Sequence, residues 1–290
     1  MPDWDVIVPQ TTAELADLLV TQPGTLIAGG TDLLPRLQRI PATRPVRLID
    51  LSRLSELRFI RQQANTIEIG TLTTHAEIGD SPLLQQVAPA LVKASRSVGS
   101  PQTRTRGTLG GNLANASPAA DTTTPLLCLD AQAVLVNRDG RRQVALSEFF
   151  IGPGQTCLGP GEYLYSVRFA IPSGRWGVDF EKLGRRNGMA IAVVSGSVFL
   201  ELDENGTIVT ARLALGSVAA TPVRSRHAEA VLKRQPPTSS LFEEAAQAMI
   251  SDISPIDDLR ASCEYRYHAA DVLIKRALAI ASHQAESNLS

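Results

Sequence analysis

What the 290-residue chain lacks narrows its function early. Its three cysteines, Cys128, Cys157 and Cys263, lie far apart and form no C-x-x-C pair. An iron–sulfur cluster or zinc site built by this chain alone is therefore not expected. Scattered thiols of this kind suit a reducing cytoplasm. Its four histidines, His75, His227, His268 and His283, share no metal-ligand spacing, and each reads as a solvated or hydrogen-bonded surface residue. The formal charge is −1, so no basic excess draws the chain to nucleic acid or an anionic membrane. No apolar run approaches the ~18 residues of a membrane span. The start, Met1-Pro2-Asp3-Trp4-Asp5, is acidic and opens no long apolar stretch, unlike a secretory signal. There is no H-E-x-x-H, and Ser195-Gly196-Ser197 sits in an apolar strand pattern rather than a nucleophile elbow. With no evident nucleophile–base set, any chemistry is expected to come from a cofactor.

What is present is an ordinary globular composition, 43% hydrophobic and 20% charged, with length enough for one large domain or a few small ones. Thr12-Ala13-Glu14 with Leu15, Leu18 and Leu19 predicts a capped helix. Thr25 to Ala28 predicts a strand that stops at Gly29-Gly30. Thr31-Asp32 then open a helix carrying Leu33, Leu34 and Leu37 on one face, and Val46 to Leu51 returns as a strand. Phe59-Ile60 and Thr66 to Gly70 alternate as a hairpin. Thr73 to Ile78 predicts a short capped helix, and Leu83 to Val98 a longer one interrupted near Pro89. Gly107 to Asp121 is loop-dominated. Leu126 to Val136 predicts helix then strand, and Glu162 to Ile171 a strand closed by Pro172. From Trp176 the pattern changes to strands at Phe180 to Leu183, Ala190 to Leu202 and Ile208 to Leu215, with a turn at Asp203-Glu204-Asn205-Gly206. Helices follow, opened by Thr221-Pro222 and continued at Leu241 to Met249 and Tyr265 to Ala281. Strands followed by helices predict an α+β unit with helices on one sheet face.

Two glycine-rich stretches are candidate sites. In Ala28-Gly29-Gly30-Thr31-Asp32-Leu33-Leu34-Pro35, paired glycines let the chain turn tightly and let a ligand approach the N–H groups at a helix start. The stretch matches neither the dinucleotide G-x-G-x-x-G nor the Walker pattern, and read alone it suits a plain strand–helix turn equally well. The second stretch, Gly107 to Asp121, contains Thr108, Gly110, Gly111, Asn112, Asn115 and Ser117, small or polar and uncharged, and ends on Asp121, a carboxylate suited to a ribose hydroxyl or to capping the helix that follows. Two such turns in one chain suggest a ligand with two phosphates and a sugar, gripped mainly by amides.

At these stretches the sequence resembles the flavin subunits of the molybdenum hydroxylases. Ala28-Gly29-Gly30-Thr31-Asp32-Leu33-Leu34 looks like their first flavin motif, and Thr108-Leu109-Gly110-Gly111-Asn112-Leu113-Ala114-Asn115-Ala116-Ser117-Pro118 like their second. Ser97 to Arg104, Gly152-Pro153-Gly154, Gly161 to Leu164, Phe180-Glu181-Lys182 with Arg185, and Arg260-Ala261-Ser262 with Glu264, Tyr265 and Arg266 are similar to bacterial xanthine dehydrogenase flavin subunits.

The resemblance implies an α+β architecture: a vanillyl-alcohol-oxidase-type FAD-binding domain over residues 1–175, in two α/β lobes divided near residue 55, then a smaller α+β domain over 176–290. It implies that Ala28 to Leu34 wrap the diphosphate, that Thr108, Gly111 and Asn112 continue the grip, and that Ser117 also binds the cofactor. Asp121 would lie near the ribose or adenosine, and Val98 and Leu164 would line the pocket. Lys182 would approach the ring or ribityl chain as a cation, where it otherwise reads as a surface strand lysine. Ile191 falls where the family places a residue over the ring. Thr31-Asp32 stands where carbon monoxide dehydrogenase flavin subunits tend to carry His-Ser. Arg186-Asn187-Gly188-Met189 lacks the acidic residues of many xanthine dehydrogenases, and Ile191 replaces an aromatic residue of some relatives. The cysteine-bearing insertion of 4-hydroxybenzoyl-CoA reductase flavin subunits is missing. The implied partners are a large subunit with a molybdenum cofactor and a small subunit with 2Fe–2S clusters, and NAD is a possible acceptor. Two other readings stay open: a stand-alone flavin reductase of the same fold, such as UDP-N-acetylenolpyruvoylglucosamine reductase, and a non-catalytic nucleotide-binding assembly module.

Overall fold

The computed structural model describes residues 4–39, 46–186 and 188–288; Met1, Pro2, Asp3 and Asn187 lie outside them. Three sheets follow one another along the chain. The first is a three-stranded parallel sheet in the order β1-β3-β2, made of β1 (Trp4–Ile7), β2 (Thr25–Ile27) and β3 (Val46–Asp50). Helix α1 (Thr12–Thr21) connects the first two strands, capped by the Thr11 hydroxyl, one residue earlier than expected. Helix α2 (Leu33–Leu37) follows the first glycine pair.

The second sheet is five-stranded and antiparallel, in the order β4-β5-β10-β6-β7. Its hairpin β4 (Ile60–Gln63) and β5 (Thr66–Gly70) leads to α3 (His75–Asp80), which opens on a capping box between Thr74 and Glu77. Prolines at first helical positions start α4 (Pro82–Val87), α5 (Pro89–Ser97) and α6 (Pro101–Arg106). The expected loop from Gly107 contains a helix, α7 (Leu109–Ala114), because the Thr108 hydroxyl caps it. After α8 (Thr123–Cys128) come β6 (Gln132–Asn137), β7 (Gly140–Ala145), the single-turn α9 (Leu146–Phe149), the small ribbon β8 (Phe150–Gly152) and β9 (Gln155–Thr156), and the central strand β10 (Tyr163–Ala170).

The third sheet is antiparallel in the order β11-β12-β13-β14: β11 (Arg175–Gly184), β12 (Ala192–Leu202), β13 (Ile208–Gly216) and β14 (Val223–Arg224). Strand alternation divides it between two cores. Val198, Leu200, Leu213 and Leu215 pack with α10 (Arg226–Leu232), α11 (Ser239–Met249) and α12 (Cys263–Ser287), whereas Val178, Phe180, Phe199 and Ala214 pack with the core of the second sheet. The helix expected from Thr221-Pro222 starts later. Val223-Arg224 first pairs with β13, and the Ser225 hydroxyl caps α10. The face of the third sheet away from its helices is thus covered by the preceding part of the chain, which brings Lys182 of β11 against the end of α5. Among the described residues, no helix is long and apolar enough to cross a membrane.

Candidate functional site

The turn after β2 is built around Gly30, whose φ of +70° is open to glycine at little cost. Gly29 is required by a close approach: a Cβ there would lie 1.9 Å from the carbonyl oxygen of Arg106. The two glycine-rich stretches therefore touch, and both line one open cleft of about 550 Å³. Among the described residues, no acceptor meets the N–H groups of Gly29, Gly30, Thr31 or Asp32. Successive free donors around a left-handed glycine make an anion cradle. The following helix has only five residues, so the donors matter more than its dipole.

The second stretch departs from expectation. Leu109 N donates to Thr73 O at 2.9 Å, Gly110 N to Thr71 O at 2.8 Å and Asn112 N to Thr108 O at 3.0 Å. Gly111 N donates to the Thr108 hydroxyl at 3.1 Å. The Gly111 and Asn112 amides read as diphosphate ligands are spent inside the protein, because Thr108 caps α7, whereas the Thr108 N–H meets no acceptor among the described residues. Gly110 is needed by the chain itself, since a Cβ would lie 1.5 Å from Thr71 Oγ1. Gly111 is exposed on the cleft, and its Cβ would meet only Thr108 Oγ1, at 3.0 Å. Asn112 Oδ1 accepts from the Thr122 hydroxyl at 2.6 Å, leaving its NH2 group without a partner among the described residues. The N–H groups of Ser117 and Asp121 likewise meet no acceptor there.

Asp121 and Lys182 were expected at different parts of a ligand, yet they form one unit. Lys182 Nζ lies 2.5 Å from Asp121 Oδ2, with side chains 11% and 8% exposed, and also donates to Ser97 O at 3.2 Å. Lys182 is thus neither a surface lysine nor part of the cleft lining. Asp121 does line the cleft, and its Oδ1 is buried without a partner. Burial pushes its carboxyl up to about 6, against the pull of Lys182. It caps no helix: the N-cap of α8 is Thr122.

Of the remaining expected residues, Ala28, Leu33, Val98, Leu164 and Ile191 line the cleft. Ile191 is 56% exposed. Leu34 does not line it and instead packs beneath Gly30. Among the lining residues that were missed are Arg36, Arg260 and His75. Arg36 donates to Asn115 Oδ1 at 3.4 Å, and Arg260 also lines the cleft; a cation one turn beyond Asp32 was readable, but its direction was not. His75 corrects the surface reading of the histidines: it is buried, and Nδ1 has no partner.

The family described as the FAD binding domain in molybdopterin dehydrogenase matches residues 2–173, and the CO dehydrogenase flavoprotein C-terminal domain matches residues 179–281. The chain belongs to the FAD-binding subunits of the molybdenum hydroxylases. It is 32% identical to the nicotinate dehydrogenase FAD-subunit of Eubacterium barkeri, over 95% of each chain. It is also 32% identical to the xanthine dehydrogenase FAD-binding subunit of Escherichia coli O157:H7, over 92% of each. The solved carbon monoxide dehydrogenase of Hydrogenophaga pseudoflava superposes with a TM-score of 0.92 at 33% identity, covering 98% of both chains. These identities do not separate the members by substrate.

The cleft of this flavin subunit fits FAD chemically. Unpaired N–H donors in the Gly29–Asp32 turn suit a diphosphate, and the unpartnered Asp121 Oδ1 suits a donor group of a sugar or ring.

Proposed function

We propose that this subunit relays electrons within a molybdenum hydroxylase complex of xanthine dehydrogenase type. They pass from the 2Fe–2S clusters of a small partner subunit, through FAD, to NAD or another acceptor, in a cytoplasmic setting. A large partner subunit carries the molybdenum cofactor and selects the substrate. Bound FAD supplies the two-electron chemistry.

The chain's own residues hold and orient the cofactor. The Ala28–Leu34 turn binds the diphosphate through its free N–H groups, with Leu34 supporting the turn from beneath. Thr108 acts by capping α7, so that Gly111, Asn112 and Ser117 flank the ligand. Val98 and Leu164 give apolar walls, and Ile191 lies against the ring. Asp121 accepts a hydrogen bond from the ligand, and Lys182 holds the Asp121 carboxylate in place. Residues 1–175 act as the flavin-holding unit, and 176–290 bring Lys182 and Ile191 to it.

The observation that carries this reading is the row of unpaired donors from Gly29 to Asp32 in a cleft shared with the second glycine-rich stretch. The test is purification of the chain with its neighbours and anaerobic reduction. Co-purification with a cysteine-rich small chain and a large molybdenum chain, and flavin bleaching by the complex's substrate, are expected. A flavoprotein that turns over a substrate alone would favour the stand-alone reductase. A chain that takes up no flavin would favour the assembly module.

A further inference from the structure

His75 is a buried titratable group in the cleft with no role yet assigned in holding FAD. It occupies the first position of α3, is 2% exposed, and lines the cleft. Its backbone N–H donates to Gly107 O at 3.0 Å, which fixes the imidazole where the two glycine-rich stretches meet. A Cβ on Gly107 would lie 3.3 Å from His75 Cδ2 and 3.4 Å from Thr31 Oγ1. The ring is therefore next to the turn whose N–H groups are free. Nδ1 is fully buried with no partner among the described residues. Nε2 also has no partner among the described residues but is not closed off in the same way, so it is the nitrogen that a ligand in the cleft can reach. Burial and the nearby Arg104 guanidinium lower its pKa to about 4, so the ring is neutral at physiological pH, with one nitrogen a donor and the other an acceptor.

We infer that His75 is a direct ligand of the cofactor, Nε2 of its neutral imidazole donating a hydrogen bond to an oxygen of the diphosphate held by the Gly29–Asp32 turn. The inference rests on the FAD reading of this cleft and adds a residue to it. The capping box at Thr74 and Glu77 sets the helix start, and so sets the ring at the junction. Phosphate binding here thus uses an uncharged donor beside main-chain amides.

The test is titration of the flavin-free full chain with FAD, ADP and riboflavin, comparing wild type, His75→Phe and His75→Gln. ADP shares the diphosphate, whereas riboflavin has no phosphate. Loss of one hydrogen bond to a charged group predicts roughly tenfold or more weaker binding of FAD and ADP by His75→Phe, with riboflavin unchanged. His75→Gln, which keeps a donor, should recover most of the loss. Two results would overturn the inference: wild-type affinity for FAD and ADP in His75→Phe, or riboflavin weakened by the same factor as FAD. Should His75→Phe fail to fold, nitrogen NMR of histidine-labelled wild type decides. One of the four imidazoles should shift with ADP but not with riboflavin, and no shift contradicts the inference. A wild-type chain that binds no FAD at all would instead overturn the underlying flavin reading, and this inference with it.

Discussion

Lys182 and Asp121 join two distant parts of the chain through one buried ion pair, Nζ to Oδ2 at 2.5 Å. Lys182 lies in β11 of the third sheet, and Asp121 directly precedes Thr122, the N-cap of α8, at the cleft. Removing only the cation leaves a buried carboxyl uncompensated, which costs about 3–5 kcal/mol. Lys182→Met should therefore destabilise the chain strongly, and the double variant Asp121→Asn/Lys182→Met should recover much of that loss. Denaturant titration of the single and double variants checks the coupling; additive effects would show that the two side chains act independently.

The same cleft sets two opposing pH dependences. Asp121 is raised from 3.8 to about 6, so the stability it contributes is fully present below 3.8 and is lost as pH rises through about 6. His75 is lowered from 6.5 to about 4, so its contribution is present above 6.5 and is lost as pH falls through about 4. Each can reach about 3 kcal/mol at 1.36 kcal/mol per unit. Relative to wild type, flavin-free Asp121→Asn should gain stability steadily from pH 4 to 6, and His75→Phe should lose it over that interval. Identical slopes in all three proteins would contradict both assignments.

Glycines in the two turns should fail differently. Gly29→Ala puts a Cβ against the Arg106 carbonyl, and such overpacking costs roughly 1–3 kcal/mol or more. It should lower the melting temperature. Gly111→Val meets only the Thr108 hydroxyl and faces the cleft, so it should keep most of the stability but lose FAD. Melting curves and flavin content, measured together, separate the two. Normal flavin content in Gly111→Val would place the ligand away from α7.

The isolated chain should not oxidise a purine, because no side-chain set for that chemistry is assigned to it. Assay of the purified, partner-free chain with xanthine checks this; hydroxylation by that preparation would contradict the relay.

The sequence marked the site more clearly than it marked the contacts within it. The Gly29-Gly30 turn was legible because a strand pattern broke on two glycines before a helical pattern. The second stretch was legible as close packing, but a glycine reports that something approaches without saying what. At Gly110 it is Thr71 of the same chain. Thr74 and Glu77 announced a helix start, yet a helix of six residues has too little periodicity to show that His75 points inward. The strand pattern at Phe180 to Leu183 left Lys182 a surface lysine and could not name a partner 61 residues away. At Thr221-Pro222 a common helix-opening pair was overridden by pairing of Val223 and Arg224 with β13.

The most direct test is the visible spectrum and nucleotide content of the purified full chain after incubation with FAD and desalting. The account predicts flavin absorbance with FAD equimolar to protein, and its loss in Gly111→Val. A folded wild-type chain that emerges colourless and nucleotide-free would contradict it.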